Sequence, residues 1–89
     1  MEADTVKNIR SSFVDKASKE LIKQLLDDLL EDDIINDGEK DSILEENKTR
    51  ADMARALIDA VWRKGNEASR LMITHFRQRD PTLSAELNL

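Results

Sequence analysis

"SKELIKQLLDDLLEDDIINDGEKDSILEE", residues 18–46, decides the fold. Leu21, Ile22, Leu25, Leu26, Leu29 and Leu30 recur at helical spacing. At about 100° per residue they share one broad face of a helix. Ser18 stands just ahead as an N-cap, and the helix is expected to stop around Asp32. Glu20, Gln24, Asp27 and Glu31 fall together on the opposite face, with Asp28 at its edge. A short chain needs the leucine face for its own core, so that face is read as core rather than as a partner groove. The acids are less easily assigned. Residues 27, 28, 31, 32 and 33 are all Asp or Glu with no base between them. A face selected only for solubility would mix signs to limit self-repulsion. Solvated surface and acidic docking face both remain open on these residues alone.

The second half of the stretch resembles a calcium loop, and spacing tests it. Such a loop needs oxygen ligands at positions 1, 3, 5 and 12 around a Gly at 6. With Gly38 at position 6, Asp33 and Asp37 take positions 1 and 5. Position 3 is then Ile35 and position 12 is Leu44, with Glu45 one residue late. Two side-chain ligands are missing. A turn and a helix start fit better: Asn36 caps, and Glu39 three residues on completes a capping-box pattern. A calcium-binding regulatory domain is the alternative from a different functional class.

Outward from this stretch the helical reading continues. The first helix is expected over about residues 4–16, with Val6, Ile9, Phe13 and Ala17 at helical spacing. Ile43 and Leu44 supply the buried side of the short third helix. Thr49 opens a fourth that runs through Met53, Leu57, Ile58 and Val61 to a stop at Gly65. Asn66 is the expected cap of the fifth, with Ala68, Leu71, Met72 and Phe76. Asp80-Pro81 then restarts a short sixth helix carrying Leu83 and Leu87. The reading is all-α: a compact antiparallel bundle of six short helices in one domain, residues 1–89. The 89 residues allow one modest core, with 39% hydrophobic, 37% charged and only 3% aromatic residues.

Composition also limits chemistry. Cys is absent, so no disulfide, thiol nucleophile or thiolate metal site can form, which fits an intracellular compartment. No apolar run approaches the roughly 20 residues that span a bilayer. The polar start "MEADTVKNIR" does not read as a signal peptide. No nucleophile has a base beside it, and a lone His75 cannot anchor zinc, so neither an enzyme nor a metal or cofactor site is expected. His75 is read as a partly buried structural residue. The net charge of −5 is unevenly spread: residues 25–46 hold ten acids against one base, Lys40. Residues 47–89 hold eight bases against five acids. The acidic middle argues against nucleic acid, and the bases are too sparse to bind it strongly. A molecule with faces of opposite sign can instead bind copies of itself or a relative.

Three stretches resemble a caspase recruitment domain (CARD) of the death-fold superfamily, closest to those of caspase-1-like inflammatory caspases. "FV" at 13–14 with "LLDDLLEDDIIN" at 25–36 resembles the family's first helix, second helix and following turn. "EEN" at 45–47 and "DMARALIDAVWRKG" at 52–65 resemble the fourth-helix region. "ITHF" at 73–76 and "LSAELNL" at 83–89 resemble the last two helices. The resemblance implies a six-helix death-fold bundle with a kinked first helix. It also implies homotypic binding to other CARDs: an inflammatory caspase, an adaptor or an NLR-type sensor. Such domains self-associate into inflammasome-type signalling filaments, and assembly activates attached caspases by proximity. A cytoplasmic location, with no membrane or nucleic-acid partner, goes with that reading. In the family, bases of helices one and four meet acids of helices two and three. Carried onto this chain, the basic patch is Lys7, Arg10 and Arg55, and the acidic patch is Asp27, Glu31 and Glu39. Ser11 stands where close relatives often carry a second base. Met1 directly before the domain favours a caspase prodomain. The C-terminal CARD of an NLR-type sensor and a CARD-only decoy are the alternatives.

Trp62, the only Trp, stands where an aliphatic residue is more usual in the family. It falls about 180° round the fourth helix from Met53 and about 20° from Arg55. The ring therefore sits at the margin of the core. It is either a lid over the core or an apolar interface anchor within a charged contact, and Trp is enriched at such anchors.

Overall fold

The computed structural model describes residues 1–89 and contains six helices and no strand. They are α1 (Glu2–Lys16), α2 (Lys19–Glu31), α3 (Asp37–Glu46), α4 (Arg50–Arg63), α5 (Asn66–Arg79) and α6 (Pro81–Glu86). The helix starts follow local chemistry. Ser18, Thr49 and Asp80 each accept the backbone N–H three residues on, which satisfies an otherwise orphaned donor. Asn36 and Glu39 form a reciprocal capping box, with bonds of 2.8 and 3.2 Å. The acid-rich loop at 32–39 is thus a helix end, a turn and a helix start.

One expected cap moves. Asn66 is the first residue of α5, and Gly65 occupies the cap with φ of 102°. That conformation is open to Gly and strained for other residues, which lets the chain turn from α4 directly into α5. Freed from capping its own helix, the Asn66 side chain accepts the N–H of Ala3 in the first turn of α1. The first helix starts earlier than expected and runs unbroken from Glu2 to Lys16.

Helix α2 ends without a Gly. Asp33 adopts φ of 60°, its N–H reaches the Leu30 carbonyl, and the Ile34 N–H reaches the Leu29 carbonyl. This is a Schellman ending with Asp where Gly is usual. An L-residue there costs about 1–2 kcal/mol, partly offset by the greater freedom of Gly in the unfolded chain. Asp33→Gly should therefore raise unfolding free energy by about 0.5–1 kcal/mol. A denaturant midpoint that stays put or falls would show that the Asp33 side chain contributes more than its backbone costs.

The core is one apolar cluster drawn from all six helices, the α1 cap residue Ala17 and the turn residue Ile35. The α2 stripe is buried as expected, except that Leu30 is half-buried. Leu44 and Leu71 are also half-buried, while Ile73 joins the core. α1 packs against both α4 and α5, and α2 against α4 and α5. Between α1 and α5, Phe13 and Phe76 meet edge to face, with centroids 5.5 Å apart. The packing leaves the outer faces of α1 and α4 adjacent, and places α3 against α2 and α4.

Candidate functional site

The basic face is built on α1 and α4, and a residue that sequence reasoning missed fixes their register. The last carbonyls of a helix lack intrahelical partners. Arg50, at the start of α4, donates to the carbonyls of Val14 and Ala17, both at 2.7 Å, and to that of Asp15 at 3.3 Å. A cation at a helix C-terminus is also favoured by the helix dipole. This clamp joins the end of α1 to the start of α4. Arg10, Arg50 and Arg55 then line one open cleft with Ser11, Ser12 and Asp15.

The structure brings Arg10 and Arg55 to the same cleft, but neither is free. Arg10 makes a two-pronged contact with Asp59, at 2.8 and 3.0 Å. Arg55 pairs with Asp52 one turn back at 2.7 Å. The bond to Arg10 holds the Asp59 carboxyl below its ordinary range, and a bond from the Trp62 indole N–H at 3.2 Å adds to the effect. Lys7 lies over the Trp62 ring, 5.4 Å from its centroid, in a cation–π contact. Trp62 is half-buried and packs against the core. Lys7, Trp62, Asp59 and Arg10 thus form one connected cluster. The ring is neither sealed under the surface nor loose upon it.

The acidic face is built on α2 and α3. Asp27 and Glu31 are exposed. Asp27 pairs with Lys40 at 2.7 Å, and Glu39 pairs with Lys64 at 2.9 Å. The Glu39 carboxyl lies below its ordinary range, first because of Lys64 and further because of its bond from the Asn36 N–H. Glu39 therefore joins the start of α3 to the end of α4 while it caps. Of the six expected docking charges, all except Lys7 and Glu31 have a partner of opposite sign within the chain.

Asp28 does not lie on the acidic face. It is buried and takes two bonds from Arg79, at 3.0 and 2.7 Å. His75 stands beside it, with Nε2 2.6 Å from Asp32 and Nδ1 3.6 Å from Asp28. His75 is thus a half-buried structural residue tying α5 to the end of α2. Arg79 holds the Asp28 carboxyl below its ordinary value of 3.8. The unfolded chain lacks that partner, so the stabilisation is complete above that value and is lost as pH falls through the lower folded value. Asp28→Asn should accordingly flatten the fall of stability below about pH 4. Denaturant melts across an acid series would show it, and parallel curves for the two proteins would place the acid sensitivity elsewhere.

No group of three or more His, Asp and Glu side chains is arranged to hold a metal ion. No helix is long and apolar enough to cross a membrane. A family model for the caspase recruitment domain matches residues 3–89. Caspase-1 of Equus caballus is 39% identical over 89 residues, which is all of this chain and 22% of that protein. Caspase-1 of Sus scrofa is 40% identical over the same span. Caspase recruitment domain-containing protein 18 of Homo sapiens is 36% identical over 80 residues, 90% of this chain and 89% of that protein. The chain spans about a fifth of the caspase-1 relatives. No solved structure matches it.

Proposed function

Because the chain belongs to the caspase recruitment domain family, we propose that it polymerises by docking its acidic α2–α3 face on the basic α1–α4 face of a neighbour. Domains of this family are protein-interaction modules that bind other domains of their kind and have no catalytic activity. The further reading is that the polymer is an inflammasome-type signalling filament in the cytoplasm. The chain then serves as the prodomain of a caspase-1-like protease and gathers protease domains for activation by proximity. The observation that carries it is the segregation of exposed charge. Asp27 and Glu31 stand on α2, while Arg10 and Arg55 share a cleft between α1 and α4. Identity of 39–40% along the whole of this chain to a 22% portion of the caspase-1 relatives supports the protease parent. A stand-alone domain that caps or blocks assembly is the second reading, favoured by the match to most of caspase recruitment domain-containing protein 18.

Charge docking makes assembly sensitive to salt, because the Debye length is about 8 Å at physiological ionic strength. The concentration at which light scattering rises should increase steadily across a salt series, with filaments visible by electron microscopy above it. A threshold that is flat from low to high salt would point to an apolar contact and overturn the docking of opposite faces.

A further inference from the structure

We propose that Asp52 and Lys40 set how tightly a second copy of this chain binds, because each holds a docking charge in an in-chain pair that docking must exchange. The inference rests on the face-to-face reading above. Arg55 contacts Asp52 at 2.7 Å, and Asp27 contacts Lys40 at the same distance. For Arg55 to meet Asp27 of a neighbouring copy, it must leave Asp52 or bring it along. If Asp52 comes along, two carboxylates crowd one guanidinium. The mirror conflict holds for Lys40, which would face the incoming Arg55. An exposed ion pair is weak, but the same small energy is subtracted from every contact in a polymer.

These two residues isolate the effect. Neither side chain makes another hydrogen bond or ion pair: Asp52 bonds only Arg55, and Lys40, whose stem is half-buried, only Asp27. The other paired charges do more than pair. Asp59 also accepts the Trp62 indole, and Glu39 also caps α3. The proposal also separates local pairing from net charge. Lys40→Gln takes the chain further from neutrality than its −5, which on general grounds increases repulsion between copies. Release of Asp27 predicts the opposite.

The test is the light-scattering threshold of the whole chain at fixed physiological salt. Lys40→Gln and Asp52→Asn should each lower it about two- to fivefold, the worth of one exposed pair. Lys23→Gln is the control. Lys23 is exposed and unpaired, and its removal changes net charge as Lys40→Gln does. Its threshold should stay level or rise. Helical circular dichroism confirms that each variant is folded. If Lys40→Gln and Asp52→Asn leave the threshold level or raise it while Arg55→Glu abolishes assembly, the pairs do not restrain docking. The proposal is then wrong and the docking reading stands. An equal fall in Lys23→Gln also overturns it, because net charge would then be the cause. Normal assembly of Arg55→Glu overturns the docking reading itself.

Discussion

Asp27→Arg should abolish assembly and leave the helical bundle intact. Its carboxylate is 63% exposed and its one contact is Lys40, on the surface of α3. Substitutions at such positions change stability by about 0.5 kcal/mol or less. Losing one partner of a docked charge pair costs roughly 2–5 kcal/mol, about a thirtyfold loss of affinity or more. Reversal adds repulsion against Arg55 and Arg10 of the neighbour. In a polymer the loss recurs at every junction, so the threshold should leave the accessible concentration range. Arg55→Glu should do the same from the other face. The double variant carries the pair in reverse and should recover part of the assembly, since Glu at 55 can meet Arg at 27 of the next copy. Recovery will be incomplete, because the new Arg lies beside Lys40. Normal filaments from Asp27→Arg alone would remove the α2 face from the interface. Two dead single variants with no recovery in the double would mean the residues act in separate contacts.

What was legible in the sequence follows from the range of each signal. Apolar spacing and caps act over three or four residues, and they located all six helices and four of the five capped starts. Asn66 misled because its side chain has two uses within reach. Gly65 made the turn by backbone alone and released Asn66 to bind Ala3, 63 residues away. The candidate docking residues lie on the helices the resemblance implies, but the sequence hides their in-chain partners. Arg10 and Asp59 are 49 residues apart, and Arg79 and Asp28 are 51 apart. No local periodicity links such pairs. Asp28 in particular reads as one more acid in an acidic run, and only the approach of α5 makes it a buried partner. Arg50 was silent for the same reason, since its targets are backbone carbonyls that any sequence offers.

Phe76→Ala should be among the most damaging single truncations to the fold, and through the fold to the basic face. Phe76 is fully buried on α5 and meets Phe13 of α1 edge to face at 5.5 Å. Removing a buried phenyl ring costs about 3–5 kcal/mol, of which the aromatic pairing itself supplies about 0.5–1.5. A domain of this size has only about 5–10 kcal/mol in total. The variant should therefore melt far earlier, and a large fraction should be unfolded at body temperature. Phe76→Leu keeps most of the volume and should lose less than half as much. A double-mutant cycle with Phe13→Leu isolates the ring pair as the part that is not additive. The consequence for function is geometric. Phe13 lies on the same helix as Lys7 and Arg10, and α5 is one of the two helices that hold α1 in place. Losing the ring loosens α1 from α5 and leaves it held to α4 by packing, the Arg50 clamp and the Arg10–Asp59 pair, so the cleft that gathers Arg10 and Arg55 should shift before the helices themselves melt. Assembly by Phe76→Leu should accordingly fail at a lower temperature than helical circular dichroism does. If both are lost together, α1 is held to the bundle as strongly by its other contacts as by this ring.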